Sequence, residues 1–479
     1  MFFHENDKFL VNEAKLKILL IDPPFHRIMG FYRYFFPFGL ASLSSYLKKK
    51  GHEVVIYDAD HGKTPIPRTS TELLEIFPKY LEGIKNPNHE IWQEVEETIA
   101  TIKPDLIGVS FLSTKLGSVI QTVNIAKKIY PKIPVVLGGA HPSFFYEVSL
   151  NQTRADFIIL GEGEETFAEL ISCLEKKENN FHQIAGLAFK GNQGNITCTA
   201  PRALLKNIDQ LPFPDRDSLL KQHTYRPDDL GMMMTSRGCP FNCTFCASIW
   251  GRNVRYRSVE NIIKEIEWLH NNYNVQKIYF KDDTFTLDKS RIYEFCISLQ
   301  QRNIKIKWEC LTRIELIDEE LIQKMREAGM DYLKIGIETG SERLLKKTNK
   351  NITIAQIRKG AEILRATKQD WSAFFMIGYP DETEEEIFMT WNLIEEIKPT
   401  YVSMSILVPY PGSQYYYELE ELGWISQNSN WNLYDPFSLE THFTLKIPRK
   451  RWQELARKTM EFVDDYNQRR QKEKKNNEK

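Results

Sequence analysis

Cys239, Cys243 and Cys246 fall within eight residues, Cys239-Pro240-Phe241-Asn242-Cys243-Thr244-Phe245-Cys246, at the spacing C-x3-C-x2-C. Three thiolates at these intervals suit three irons of a four-iron cluster and leave the fourth iron open. An electron-carrying ferredoxin normally closes its cluster with a fourth cysteine, so an open iron implies a ligand or substrate bound there. Gly238 and Pro240 allow the tight loop that the sulfurs need. Zinc wants four ligands, usually two C-x2-C pairs or a Cys/His set. No second pair follows, and the nearest later histidine, His270, lies well down an expected helix. An odd triplet in a chain without a signal peptide also argues against disulfides and for a reducing compartment. Cys173, Cys198, Cys296 and Cys310 are scattered and read as small apolar residues.

The elements that must position this loop form two βα series. In the first, short apolar runs at 17–21, 53–57, 106–110, 135–137 and 157–160 read as buried parallel strands. Helices at 40–50 and 117–130 fall between them, which predicts a doubly wound, flavodoxin-like sheet with its ligands at the C-terminal strand ends. Those ends carry Ser110-Phe111-Leu112, Gly138-Gly139-Ala140-His141-Pro142 and Gly161-Glu162-Gly163-Glu164-Glu165-Thr166. Paired glycines let a large ligand approach the backbone where a side chain would clash. A stretch from about 190 to 231, rich in glycine and proline, reads as linker. The second series opens at the cysteine loop and continues with strands two to six at 277–280, 305–310, 332–337, 373–377 and 402–407, with a serine-capped helix at 258–271. It predicts six βα units of an incomplete parallel barrel. Beyond Glu418 the chain turns helical and aromatic, with Trp424, Trp431, Tyr434 and Phe437, and a last amphipathic helix at 449–468 is expected to cover the open barrel.

The cysteine loop resembles the signature of the radical S-adenosylmethionine (SAM) superfamily, and the strand ends of 231–412 are similar to its methylthiotransferase, elongator and cyclase group. The S-x-L, G-G-x-H-P and G-E-G-E segments resemble the cobalamin-binding domain that precedes many radical SAM domains. The combined resemblance implies a cobalamin-binding domain at 14–190, a linker at 191–230, a radical SAM domain at 231–415 and a helical C-terminal extension at 416–479. It implies a [4Fe-4S] cluster on Cys239, Cys243 and Cys246, with SAM held by Phe245, Asp282, Asp283, Arg313, Glu338, Gly378 and Leu407. Ser110, Leu112, Gly138, Gly139, His141, Gly161, Glu162 and Gly163 are the implied cobalamin contacts. The usual cobalt-ligating D-x-H-x-x-G is absent: the first loop reads Asp22-Pro23-Pro24-Phe25-His26-Arg27-Ile28-Met29-Gly30. A histidine–cobalt bond is therefore in doubt, although His26 is placed to lie near the corrin.

The implied activity is reductive cleavage of SAM to a 5′-deoxyadenosyl radical and methyl transfer to an unactivated carbon. The alternatives are a cyclase or rearrangement without methyl transfer, and a non-catalytic corrinoid or iron–sulfur carrier. A methylthiotransferase should bring three further cysteines in its N-terminal domain, and only Cys173 and Cys198 lie there. A net charge of −1 on 479 residues argues against a nucleic-acid partner. No apolar run approaches the roughly 20 residues of a membrane span, and Met1 to Lys8 lack a secretory pattern. The chain reads as cytoplasmic, acting on an unidentified small molecule or peptide with a low-potential donor such as flavodoxin or ferredoxin.

Overall fold

Parallel strands with both faces covered need no polar alternation, and the apolar runs at the start of the chain form them. The structure, a computed structural model, describes residues 16–32, 36–62, 68–191 and 194–477. The expected start of the first domain at 14–15 and the segment read for a signal lie outside the described residues. Strands β1 (Lys17–Asp22), β2 (Glu53–Asp58), β3 (Leu106–Ser110), β4 (Val135–Gly138) and β5 (Phe157–Ile159) pair in parallel in the order β2-β1-β3-β4-β5. That is the flavodoxin-like order, whose crevice opens at the C-terminal strand ends.

Two further strands, β6 (Leu187–Lys190) and β7 (Ile196–Cys198), extend this sheet antiparallel. β7 lies inside the stretch expected to be linker, and three residues are too few to show a strand period. The rest of that stretch is built in as well. Leu220 N donates to Ile56 O at 2.8 Å and Ile56 N to Ser218 O at 2.7 Å, so 218–220 runs beside β2. Arg216 is wholly buried, donates to Met232 O at 2.9 Å and pairs with Glu265 at 3.3 Å.

The second series contains β8 (Met232–Met233), the short antiparallel ribbon β9 (Ser236–Arg237) and β10 (Arg255–Tyr256), then β11 (Lys277–Phe280), β12 (Lys307–Thr312), β13 (Met330–Glu338), β14 (Trp371–Ile377) and β15 (Tyr401–Ile406). Six of these form an open, all-parallel sheet in the order β8-β11-β12-β13-β14-β15. Capping side chains start its helices where the sequence suggests. Ser258 accepts from Asn261 N, and Asp318 from Leu321 N.

The exposed edge at β15 is closed by the C-terminal helix Arg449–Asn477. Asn467 imitates a neighbouring strand there: its Oδ1 accepts from Val402 N at 2.8 Å and its Nδ2 donates to Val402 O at 2.9 Å. The same helix presents Asp464 to the N-terminus of helix Ser70–Gly83, accepting from Ser70 N and Thr71 N at 2.8 Å each. Between helix Gln414–Glu421 and this last helix the chain holds only a short 3-10 turn among its regular elements, so the extension is less helical than expected. Its aromatic residues Trp431 and Tyr434 pack into the core of the first sheet.

Replacing Arg216 by Met is expected to destabilise the cofactor-free protein by about 1–3 kcal/mol, because it strands the buried acceptors Met232 O and Pro214 O while Glu265 keeps Arg257 as its partner. Urea unfolding checks this; an unchanged midpoint would contradict the bolting role of residue 216.

Candidate active site

The cysteine loop follows β9 and is held from several sides. Thr244 N donates to Thr348 O at 2.9 Å, Asn349 Nδ2 to Asn242 O at 2.9 Å, and Tyr415 N to Thr244 O at 3.0 Å. Gly238 has φ +99°, and a Cβ there would stand 2.6 Å from Asn253 O, so only glycine permits this turn into Cys239. Cys243 is buried, Cys239 half-buried and Cys246 exposed. The surrounding protein, then the charges of Cys243, Asp283 and Cys239, push the Cys246 thiol up to about 11. Burial likewise raises the Cys243 thiol, and a cationic iron group would offset that cost for both. Among the described residues no three His, Cys, Asp or Glu side chains converge on a single-ion site; a cluster instead takes each thiolate on its own iron.

Around this loop the barrel ends bring together most of the residues singled out above. Phe245 packs with Leu407 in a small apolar cluster with Leu344, Tyr379 and Tyr415. Gly378, at φ +95°, follows β14, and its N donates to Glu382 Oε2 at 2.5 Å. Glu338 ends β13 with φ +76°, a left-handed conformation that costs a non-glycine residue about 1–3 kcal/mol and accumulates at functional sites. Its buried carboxylate pairs with Lys350 at 2.7 Å. Arg313 is buried too, but its guanidinium is engaged: by Glu315 at 2.5 Å, by Lys350 O, and 3.6 Å from Cys243 Sγ. It lies 3.8 Å above the Phe241 ring, so its neighbourhood is the cysteine loop itself.

Asp282 and Asp283 part company. Asp282 is buried and accepts from Thr235 N at 2.5 Å, Ser236 N at 3.2 Å and Thr235 Oγ1, bracing the strand that enters the cysteine loop. The exposed Asp283 is the one that acts on Cys246.

Two cavities open at the C-terminal ends of the first sheet. One, of about 260 Å³, is lined by Ser110, Gly138, Gly139, Gly161, Glu162 and Gly163, together with Leu20, Leu43, Val109 and Phe167. Met234, Arg237, Ile249 and Trp250 close it from the cysteine-loop side. A Cβ at Gly138 would meet nothing within 4 Å and so would project into open space, whereas one at Gly139 (φ +101°) would strike Phe111 O at 2.6 Å. The second cavity, of about 420 Å³, shares Ser110, Gly139 and Phe38–Leu40 with the first and reaches His26, Leu112, Asp60 and, across the junction, Tyr410 and Asp435. Leu112 is 60% exposed into this space.

Residues 233–394 match the radical SAM superfamily and residues 31–171 the B12 binding domain. An uncharacterized methyltransferase of Pyrococcus horikoshii is 32% identical over 90% of this chain and 89% of its own length. The chain belongs to the cobalamin-binding radical SAM family. The anaerobic magnesium-protoporphyrin IX monomethyl ester cyclase of Rubrivivax gelatinosus is 26% identical over 88% of this chain and 73% of its own. In fold, the chain resembles the radical SAM methyltransferase TsrM of Kitasatospora setae, with a TM-score of 0.66 and 17% identity over 85% of this chain and 75% of that one. The radical SAM enzyme OxsB gives 0.62 and 20% over 94% and 62%. The protein is thus a radical SAM enzyme whose cofactors are a [4Fe-4S] cluster, SAM and cobalamin. A glycine-floored apolar slot beside a larger hollow fits the narrow tail and broad ring of a corrinoid.

Two expected cobalamin contacts are placed differently from the glycines. His141 lines neither cavity. Helix Ala140–Phe144 turns its ring inward among Phe111, Phe145 and Trp431, with Nδ1 2.9 Å from Ser113 Oγ. Burial lowers its pKa to about 3, so the ring stays neutral, and its Nε2 is buried without a hydrogen-bond partner. Glu162 does line the slot, but its carboxylate is bound by Arg237 and Arg255 and by Leu205 N. Sequence reasoning also missed a buried charge network at the larger hollow. Lys115 Nζ bridges Asp22 at 2.7 Å and Asp60 at 3.1 Å, and Asp60 holds His26 Nδ1 at 2.9 Å. These partners come from three separate strand ends, and nothing local marks them as neighbours.

Burial, and then the charges of Asp22 and Asp60, raise Asp58 to about 7. Its unfolded value is near 3.9, so the folded chain holds an extra proton between the two. The resulting stabilisation is complete at low pH and is lost as pH rises through 7. Glu382, raised by burial to about 8, acts in the same direction. The melting temperature of the cofactor-free protein is expected to fall from pH 5 to 7, and less steeply in Asp58→Asn. Parallel slopes in the two proteins would contradict this assignment.

Proposed function

We propose that this enzyme methylates an unactivated carbon of a small molecule or peptide. One observation carries the reading: Met234 and Arg237, at the entrance to the cysteine loop, also wall the slot whose floor is Gly138 and Gly139. The iron site and the cobalamin tail site are therefore neighbours in one chamber. When bound, the cluster supplies the electron that splits SAM, and cobalamin supplies the methyl group.

The chain's own residues hold and orient. Cys239, Cys243 and Cys246 take three irons. Phe245, Gly378 and Leu407 flank the adenine, and the Glu338 carboxylate accepts from the ribose hydroxyls, its two oxygens matching a diol. Asp283 meets the SAM amino group, while Asp282 fixes the loop from behind. Arg313 keeps a positive charge beside Cys243 and the SAM carboxylate. Ser110, Leu112, Gly138, Gly139, Gly161 and Gly163 border the corrinoid. A cytoplasmic flavodoxin or ferredoxin fits as electron donor.

Similarity to the Rubrivivax cyclase favours a second reading, ring formation without methyl transfer. Incubating the reduced holoenzyme with SAM bearing a trideuterated methyl group separates the two without knowledge of the substrate. The methylase reading expects 5′-deoxyadenosine and a bound cobalamin methyl group three mass units heavier. 5′-Deoxyadenosine with no labelled methyl on cobalamin would favour the cyclase, and neither product would leave a carrier.

A further inference from the structure

Arg237 stands two residues before Cys239, yet its guanidinium reaches into the other sheet. Nη1 donates to Glu162 Oε1 at 2.7 Å and Nη2 to Glu164 Oε1 at 2.6 Å. The arginine side chain is 12% exposed and each carboxylate side chain 5%. Arg255, opposite Arg237 in the β9–β10 ribbon, adds a second guanidinium to Glu162 at 2.9 Å. Arg237, Glu162 and Glu164 all line the 260 Å³ slot. On the opposite side, Asp282 grips Thr235 and Ser236, the two residues before Arg237. The wall of the slot and the stem of the cysteine loop are thus one ion-paired unit.

Ion pairs this dry and two-pronged hold a narrow geometry. A ligand filling the slot would press on the Gly161–Glu164 turn and, through its ion pairs, on Arg237. The cysteine loop then has less freedom left to lose when it takes up iron, and the converse holds equally. We propose that Arg237 is a positioning residue that couples the two cofactor sites, so that cobalamin and the cluster each bind more tightly in the other's presence. The proposal rests on the reading that the slot takes the cobalamin tail.

Anaerobic equilibrium dialysis of hydroxocobalamin against wild-type protein, with and without its reconstituted cluster, reads the coupling directly. The expected result is about five- to tenfold tighter binding to the cluster-loaded form, within the usual span of coupling between sites. In Arg237→Met that ratio falls to about one, and Arg237→Lys recovers part of it. Glu162→Gln/Glu164→Gln, which keeps the side-chain shapes, also falls to about one and carries the test if Arg237→Met does not fold. A purely structural role would weaken binding to both forms alike and leave the ratio intact, which would overturn the proposal. Equal wild-type affinities would overturn the coupling and leave the slot assignment standing. No cobalamin binding by either wild-type form would overturn both.

Discussion

Residues 235–237 are held by carboxylates from two different sheets, and the chemistry of the molecule depends on that grip. Asp282 at the end of β11 fixes the backbone of Thr235 and Ser236. Glu162 and Glu164 after β5 fix the side chain of Arg237. A loop that carries three metal ligands has little regular structure of its own to position it, so its stem must be set by its neighbours. Here one neighbour is the barrel whose strand ends carry the residues proposed for SAM, and the other is the sheet whose strand ends line the slot proposed for cobalamin. Loss of either would leave a loop free to collapse or turn away.

The space between the sheets is graded in polarity. The slot is mostly apolar with a glycine floor, whereas the adjoining hollow carries half-buried Asp22 and buried Asp58 and Asp60 balanced by Lys115 and His26. Burial works against the charge on Asp60, but Lys115 and His26 outweigh it and hold the carboxyl well below its usual range. At Asp58, burial and the charges of Asp22 and Asp60 outweigh Tyr225 and Lys115, so it keeps its proton near neutrality. The C-terminal helix closes the assembly by pairing with the β15 edge through Asn467 and capping helix Ser70–Gly83 through Asp464.

What could be read from the chain follows the range of the interactions. The cysteine loop, the strand-end glycines and the serine- or aspartate-capped helices are local signals, each complete within a few residues. G-G-x-H-P says nothing about where the His141 ring points; it packs against Trp431, far along the chain. Asp282 and Asp283 look alike in sequence and differ only in which one meets the backbone of Thr235. The partnership of Arg237 with Glu162 and that of Arg216 with Glu265 join distant segments without any local mark. β7 was too short to show a period, and the glycines around it suggested linker instead.

The central claim is that one chain holds an open iron–sulfur cluster beside cobalamin. Anaerobic reconstitution with iron, sulfide and cobalamin, followed by metal counting, tests it most directly. The account expects about four irons and one cobalt per chain, with iron lost and cobalt retained in Cys239→Ala/Cys243→Ala/Cys246→Ala. Four irons without stably bound cobalt, or iron that survives the triple substitution, would contradict it.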